Sequence, residues 1–171
     1  MNRLWVALRS VLYAGLFLTI WGWAALRCRA LDRLLLIRIP FWLTLPGVLL
    51  FLAGAALALT TIGFFIVEGL GTPAIFDPPK NFVPHGPFRL VRNPMYVGGI
   101  SLLLGWALDL RSPAMVLFAL FALVVVHSFV VLSEEPGLRK RFGQEYIDYC
   151  RAVPRWIPRL TRRPLPSSPA E

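Results

Sequence analysis

Long apolar blocks constrain this chain more than any other feature. They lie at about 4–26, 41–67, 95–108 and 114–132. A helix needs roughly 20 mostly apolar residues to cross the hydrocarbon core, and only helices and closed barrels satisfy their backbone polar groups there. The pattern predicts an all-α integral membrane protein with about four transmembrane helices. The third block is short unless its helix begins at Pro94, which suits a first helical turn.

The charge of the chain fits a membrane protein better than a nucleic-acid-binding protein. The formal net charge is +9. The length of 171 residues suits a single domain. Lipid headgroups and the positive-inside rule account for this excess, and no basic and aromatic recognition element indicates nucleic acid. Cys28 and Cys150 have no metal-binding or redox spacing, so we expect free thiols and no metal site. No obligate protein partner is evident.

The turn at 109–113, "DLRSP", predicts a helical hairpin, because it is too short for a soluble excursion between the last two apolar blocks. The preceding segment, 68–94, is too rich in proline and glycine for a regular helix and must avoid lipid. A hairpin returns the chain to the membrane face that it left. We therefore expect Glu134 and Glu135 to lie near the polar residues of 89–93.

The tail after the last apolar block predicts the orientation of the chain. It is strongly basic and its composition suits an amphipathic segment, so the positive-inside rule places it in the cytoplasm. The arginines between 27 and 38 then fall on the outer side, against the rule. We predict one membrane-embedded domain over 1–163, with a site built from 80–96 and 133–158, and a disordered end at 164–171.

The polar groups gathered at this end of the hairpin suit a small cofactor with hydroxyl groups and a carboxylate. A ribose diol favours carboxylate acceptors, and an amino-acid carboxylate favours an arginine fork. S-adenosylmethionine carries both, whereas a nucleotide phosphate would favour arginines without the acids. Paired acids also favour a helix N-terminus, so this chemistry leaves a purely structural interpretation open. The candidate residues are His85, Arg89, Arg92, Asn93, Tyr96, Glu134 and Glu135.

Several motifs resemble a known superfamily. "RNPMYVGG", "LGWAL", "RSP" and "SEEPGL" are similar to the signature of the isoprenylcysteine carboxyl methyltransferase and phospholipid (phosphatidylethanolamine N-) methyltransferase superfamily. The tail "FGQEYIDYCRAVPRWIP" resembles the isoprenylcysteine branch, and the resemblance covers about 68–158. Several relatives carry histidine at the position of Asn93, and "LAG" retains only Gly54 of a family Gly-x-Gly. The resemblance implies S-adenosyl-L-methionine bound at the cytosolic end of the hairpin by His85, Gly86, Arg92, Asn93, Pro94, Tyr96, Glu134, Glu135 and Gly54.

The function that this resemblance implies is methyl transfer to a lipophilic acceptor entering from the bilayer of an inner or plasma membrane. The acceptor is a membrane lipid or a lipidated small molecule. An isoprenylcysteine-type carboxylate needs no base, and Arg89 or Arg155 would orient it. A phospholipid amine must lose a proton, and Glu134, Glu135 and His85 are the available bases. The alternatives are an NADPH-dependent membrane reductase related to sterol reductases and a non-catalytic lipid-binding protein.

Overall fold

The computed structural model describes residues 3–64, 67 and 85–158, and all regular structure within them is helical. The all-α prediction is confirmed for this part of the chain. The five α-helices are α1 (Arg3–Arg29), α2 (Thr44–Phe64), α3 (Pro94–Asp109), α4 (Pro113–Phe129) and α5 (Glu135–Ala152). Short 3₁₀ helices lie at Ala30–Leu34, Phe41–Leu43 and Gly86–Arg89, and a π-helical turn occupies Val130–Glu134.

Three helical stretches of the described chain are long and apolar enough to cross a membrane: Val11–Leu34, Phe41–Phe64 and Pro113–Ala152. The remaining predicted span, α3, begins at Pro94 as the sequence predicts but has only 16 residues. At 1.5 Å per residue it is about 24 Å long, short of a hydrocarbon core of about 30 Å. Helices α1 to α4 are therefore present where four spans are predicted, and three stretches have the length of a span, the third because α4 continues into α5.

Glycines bring α2 and α3 into direct backbone contact. A Cβ atom at Gly54 would lie 2.6 Å from the carbonyl oxygen of Gly98, and one at Gly105 would lie 2.4 Å from the backbone nitrogen of Phe51. Small residues permit such close approach between membrane helices. This contact fixes α3, and with it the N-terminal end of α3, against α2. Gly54 packs at this interface, and its contribution to a donor site stays a prediction.

The turn between α3 and α4 forms the tight hairpin expected from the sequence. The Ser112 side chain caps α4 and accepts a hydrogen bond from the backbone nitrogen of Met115 at 3.2 Å. A second cap comes from the connector after α1, where Asp32 Oδ1 accepts a hydrogen bond from the Ala114 nitrogen at 2.9 Å. Arg111 has a φ of 50°. These contacts join the end of α1 to the hairpin.

At the other end of the hairpin, α4 continues through the π-helical turn into α5 without a break in the helical path. Gly143 interrupts α5 with a φ of 54°, a conformation that glycine adopts at little cost. The amphipathic character of this tail stays a prediction. Residues 159–171, with the expected disordered end, lie outside the described residues, so the domain bounds also stay predictions.

Candidate functional site

Hydrogen bonds join the segment before α3 to α5 and to the residues that follow α5, and this junction carries the candidate site. The backbone nitrogen of Arg92 donates to the Pro154 carbonyl at 2.9 Å. The Tyr149 hydroxyl donates to the Phe88 carbonyl at 2.7 Å. Tyr149 is buried, so its ring packs inside this junction. The convergence of the two segments that the hairpin predicts is therefore present.

Asn93 and Pro94 start α3 inside this junction, and both are buried. Asn93 occupies the N-cap position, but its side chain makes no capping hydrogen bond. Instead Nδ2 donates to the backbone carbonyl of Arg155 at 3.3 Å. The amide therefore ties the start of α3 to the tail.

Glu135 is the centre of an ion-pair cluster and is only 4% exposed. Arg155 binds it in a bidentate manner, with Nε 2.7 Å from Oε1 and Nη2 2.9 Å from Oε2. Arg92 Nη1 donates to Oε1 at 2.9 Å, and Arg139 lies farther away at 3.9 Å. Bidentate charge-assisted pairs fix geometry as well as charge. The hydrogen bond to Glu135 raises the pKa of Arg155 above its ordinary value.

Glu134 has a different partner from its neighbour. The Tyr96 hydroxyl donates to Glu134 Oε2 at 3.0 Å, and the pair is partly buried. Oε1 accepts no hydrogen bond from the described residues. The two acids that the sequence presents as one unit are thus divided, with Glu135 neutralised by arginines and Glu134 aimed at α3.

Arg92 has hydrogen-bonding capacity that the described residues do not use. Its Nη1 lies 2.9 Å from Cys150 Sγ in addition to Glu135, while its Nε is buried and finds no acceptor in the described part of the chain. An unsatisfied buried donor costs about 1–3 kcal/mol. A ligand with an acceptor group at this position would remove that cost.

The remaining predicted residues, His85, Gly86 and Arg89, are exposed, and we call this exposed part of the segment before α3 the rim. His85 and Arg89 are exposed and lie outside the ion-pair cluster, and the Arg89 side chain makes no hydrogen bond or ion pair with the described residues. Gly86 begins the 3₁₀ turn with a φ of 55°, and a Cβ atom there would collide with the Phe64 ring at 2.3 Å. Glycine at this position therefore follows from the close approach of α2.

Three site contacts were not foreseen from the sequence. They are the Tyr149 hydroxyl on Phe88, the Cys150 sulfur on Arg92, and the Trp156 Nε1 donor on His127 Nδ1 at 3.0 Å. The burial of Tyr149 and Val153 follows a spacing of four residues, which could have indicated a packed face of the tail. Nothing in the sequence signals the cysteine contact.

Fold and site together define an all-helical membrane protein with an arginine–carboxylate cluster at one end of a helical hairpin. The chain belongs to the phospholipid methyltransferase family, whose model matches residues 42–145. An uncharacterized protein of Haemophilus influenzae is 33% identical over 63 residues, which are 37% of this chain and 100% of that relative. The family match at 42–145 runs from just before α2 into α5 and includes both Glu134 and Glu135. Membership confirms the resemblance seen in the motifs and implies methyl transfer with lipid substrates in an integral membrane protein.

Proposed function

We propose that this protein transfers a methyl group from S-adenosylmethionine to a phospholipid amine at the cytosolic face of its membrane. The observation that carries the proposal is the Tyr96–Glu134 hydrogen bond at the start of α3, together with Arg92, whose buried Nε has no acceptor in the described residues. A carboxylate acceptor and a guanidinium donor, close together at the start of α3, suit the two polar ends of this methyl donor.

The donor set fits the cofactor by its chemistry. Glu134 Oε1 has the capacity to accept hydrogen bonds from ribose hydroxyls, and its charge favours a nearby sulfonium. Arg92 Nε would bind the amino-acid carboxylate, which is the stronger kind of hydrogen bond because both partners are charged. When bound, S-adenosylmethionine supplies an electrophilic methyl group.

The residues of this chain act by positioning and by excluding water. Tyr96 holds the Glu134 carboxylate in one orientation, and Glu135 fixes Arg92 through the 2.9 Å ion pair. The tail covers this cluster by the Arg92–Pro154 backbone bond. A displacement at a methyl group depends chiefly on alignment and desolvation of the reactants, which such a fixed site provides.

Family membership favours a phospholipid as the acceptor, and the rim residues have the matching chemistry. Glu135 and Arg155 neutralise each other, so neither is a free base nor a free cation. Arg89 is exposed, with its side chain uncommitted among the described residues, and suits the headgroup phosphate. His85, four residues earlier and also exposed, would accept the proton that the amine loses.

The donor is tested by ligand-dependent stability. We expect S-adenosylhomocysteine at millimolar concentration to raise the Tm of the detergent-purified protein, because a ligand that binds only the folded state stabilises it by mass action, by about 2.7 kcal/mol at 100 times Kd. NADPH at the same concentration is the control and should leave Tm unchanged. A shift with NADPH and none with S-adenosylhomocysteine would favour the reductase alternative and reject this proposal.

The cytosolic orientation is tested by labelling single cysteines in a background without Cys28 and Cys150. The hairpin turn and α5 lie at opposite ends of α4, and Arg111 and Glu145 are exposed at the two places. We expect an impermeant maleimide added to intact cells to label Arg111→Cys and to miss Glu145→Cys until the cells are lysed. Labelling of Glu145→Cys alone would reverse the orientation and place the site away from cytosolic S-adenosylmethionine.

A further inference from the structure

A polar cavity lies at the opposite end of the hairpin from the candidate donor site. Its volume is about 560 Å³, within the range of about 300–1,000 Å³ that is usual for small-molecule sites. It is formed by the connector between α1 and α2 and by the turn between α3 and α4. Its charged lining residues are Arg29, Asp32, Arg33, Arg38 and Arg111.

The charge of this cavity is unbalanced. Four guanidinium groups face one carboxylate, and that carboxylate, Asp32, already accepts a hydrogen bond from the Ala114 nitrogen at 2.9 Å. None of the four arginine side chains makes an ion pair or hydrogen bond with the described residues. A concave surface lined by one sign of charge concentrates counter-ions, so this cavity favours an anion.

Apolar side chains beside the arginines indicate the source of that anion. Leu34, Leu36 and Ile37 belong to the same connector and are 72%, 101% and 65% exposed. The connector follows the apolar stretch Val11–Leu34, so it lies where a membrane helix reaches the headgroups. Exposed leucines with arginines at this level suit an acyl chain and the phosphate above it. A soluble phosphate compound would have no use for the apolar part.

Arg111 adds an independent observation from the other wall of the cavity. Its φ of 50° lies in the left-handed region, which is unfavourable for a residue with a side chain and which glycine adopts at little cost. A glycine would terminate α3 with less strain. The arginine is therefore unfavourable for the backbone, and its guanidinium lines the cavity.

We propose that this cavity binds the phosphate of an anionic phospholipid in the leaflet opposite to the donor site. Basic pockets between transmembrane helices are suited to acidic headgroups. The length of α3, about 24 Å, separates this cavity from the donor site. The proposal also accounts for the arginines that violate the positive-inside rule, because here they serve a ligand.

The test is a titration of the full-length detergent-purified protein with dihexanoylphosphatidylglycerol, followed by Tm. Dihexanoylphosphatidylcholine and glycerol 3-phosphate are the matched probes, the first without net charge and the second without acyl chains. We expect stabilisation by phosphatidylglycerol at concentrations at least about tenfold lower than by either probe. Equal potency of glycerol 3-phosphate would assign the cavity to soluble phosphates and overturn the lipid proposal.

Variants localise the effect. In Arg33→Gln/Arg38→Gln, loss of two surface cations at about 1 kcal/mol each should weaken phosphatidylglycerol binding about tenfold or more. Arg27→Gln is the control, because Arg27 lies in the last turn of α1, over the Trp23 ring at 5.8 Å, and does not line the cavity. Equal weakening by the control would reduce the effect to general surface charge and reject the site.

Arg111→Gly guards against a simple loss of fold. This variant removes a cavity guanidinium and relieves the backbone at φ 50°, so we expect a Tm without lipid equal to or above that of the natural chain. Its phosphatidylglycerol affinity should nevertheless fall several-fold. Undiminished affinity would show that the turn does not contribute to a phosphate site and would contradict the proposal.

Discussion

Glu135→Gln lowers the free energy of unfolding by about 3 kcal/mol, the expected cost of breaking a buried ion pair. The carboxylate is 4% exposed and is held by Arg155 in a bidentate pair and by Arg92 at 2.9 Å. Neutralising it leaves the Arg92 guanidinium, whose side chain is 12% exposed, without its counter-ion. The start of α3 and the tail then lose the group that joins them.

The measurement is the Tm of detergent-purified variants, with Glu145→Gln as the matched control. Glu145 is an exposed residue of the same helix, so its substitution should change stability by no more than about 0.5 kcal/mol. A double-mutant cycle with Arg155→Gln should be strongly non-additive, because the two residues act as one unit. Equal Tm values for the two glutamate variants would contradict the structural importance of Glu135.

Glu134→Gln has the opposite expected profile, with stability retained and donor binding reduced about tenfold or more. Among the described residues its carboxylate has one partner, the Tyr96 hydroxyl at 3.0 Å, and a glutamine oxygen still accepts that bond. A hydrogen bond from the methyl donor to a charged carboxylate contributes about 1.5–3 kcal/mol. A change of about 1.4 kcal/mol is a factor of ten in affinity. The proposed ribose or sulfonium contact loses this charge.

Isothermal titration with S-adenosylhomocysteine measures this effect, and Glu145→Gln again serves as the control. Tyr96→Phe extends the test, since it frees the Glu134 carboxylate from its orienting hydroxyl and should weaken binding less than Glu134→Gln does. Unchanged affinity in Glu134→Gln would mean that the acid serves only the helix path, as the structural interpretation of the acidic pair holds.

The sequence was sufficient for the hairpin and for the meeting of its two flanking segments. The five residues of 109–113 leave no room for another topology, and topology alone brings 133–135 to 89–93. The start of α3 at Pro94 also follows from residue chemistry, because proline lacks the N–H group that a first turn leaves unpaired.

The individual partners could not be predicted, because they depend on angles that no local pattern encodes. The sequence predicts that Arg89 or Arg155 orients a carboxylate acceptor, but it does not predict that Arg155 forms a bidentate pair with Glu135. Glu134 and Glu135 are neighbours in the sequence, yet one is bound by a tyrosine and the other by arginines. The π-helical turn that sets their directions has no sequence signature among the apolar residues of 130–132.

The π-helical turn sets the angular position of the following side chains around the helix axis. A π-helical turn holds one residue more than an α-helical turn, and each residue of an α-helix advances about 100° around the axis. Without the additional residue between Val130 and Ser133, Glu135 would take the angular position of Glu134 beneath Tyr96, and Pro136 would face the arginines. A glutamate would still accept the hydrogen bond from Tyr96, but the ion-pair cluster between the tail and the start of α3 would lose its carboxylate. The different partners of Glu134 and Glu135 therefore depend on the helical phase, which one additional residue in the apolar stretch sets.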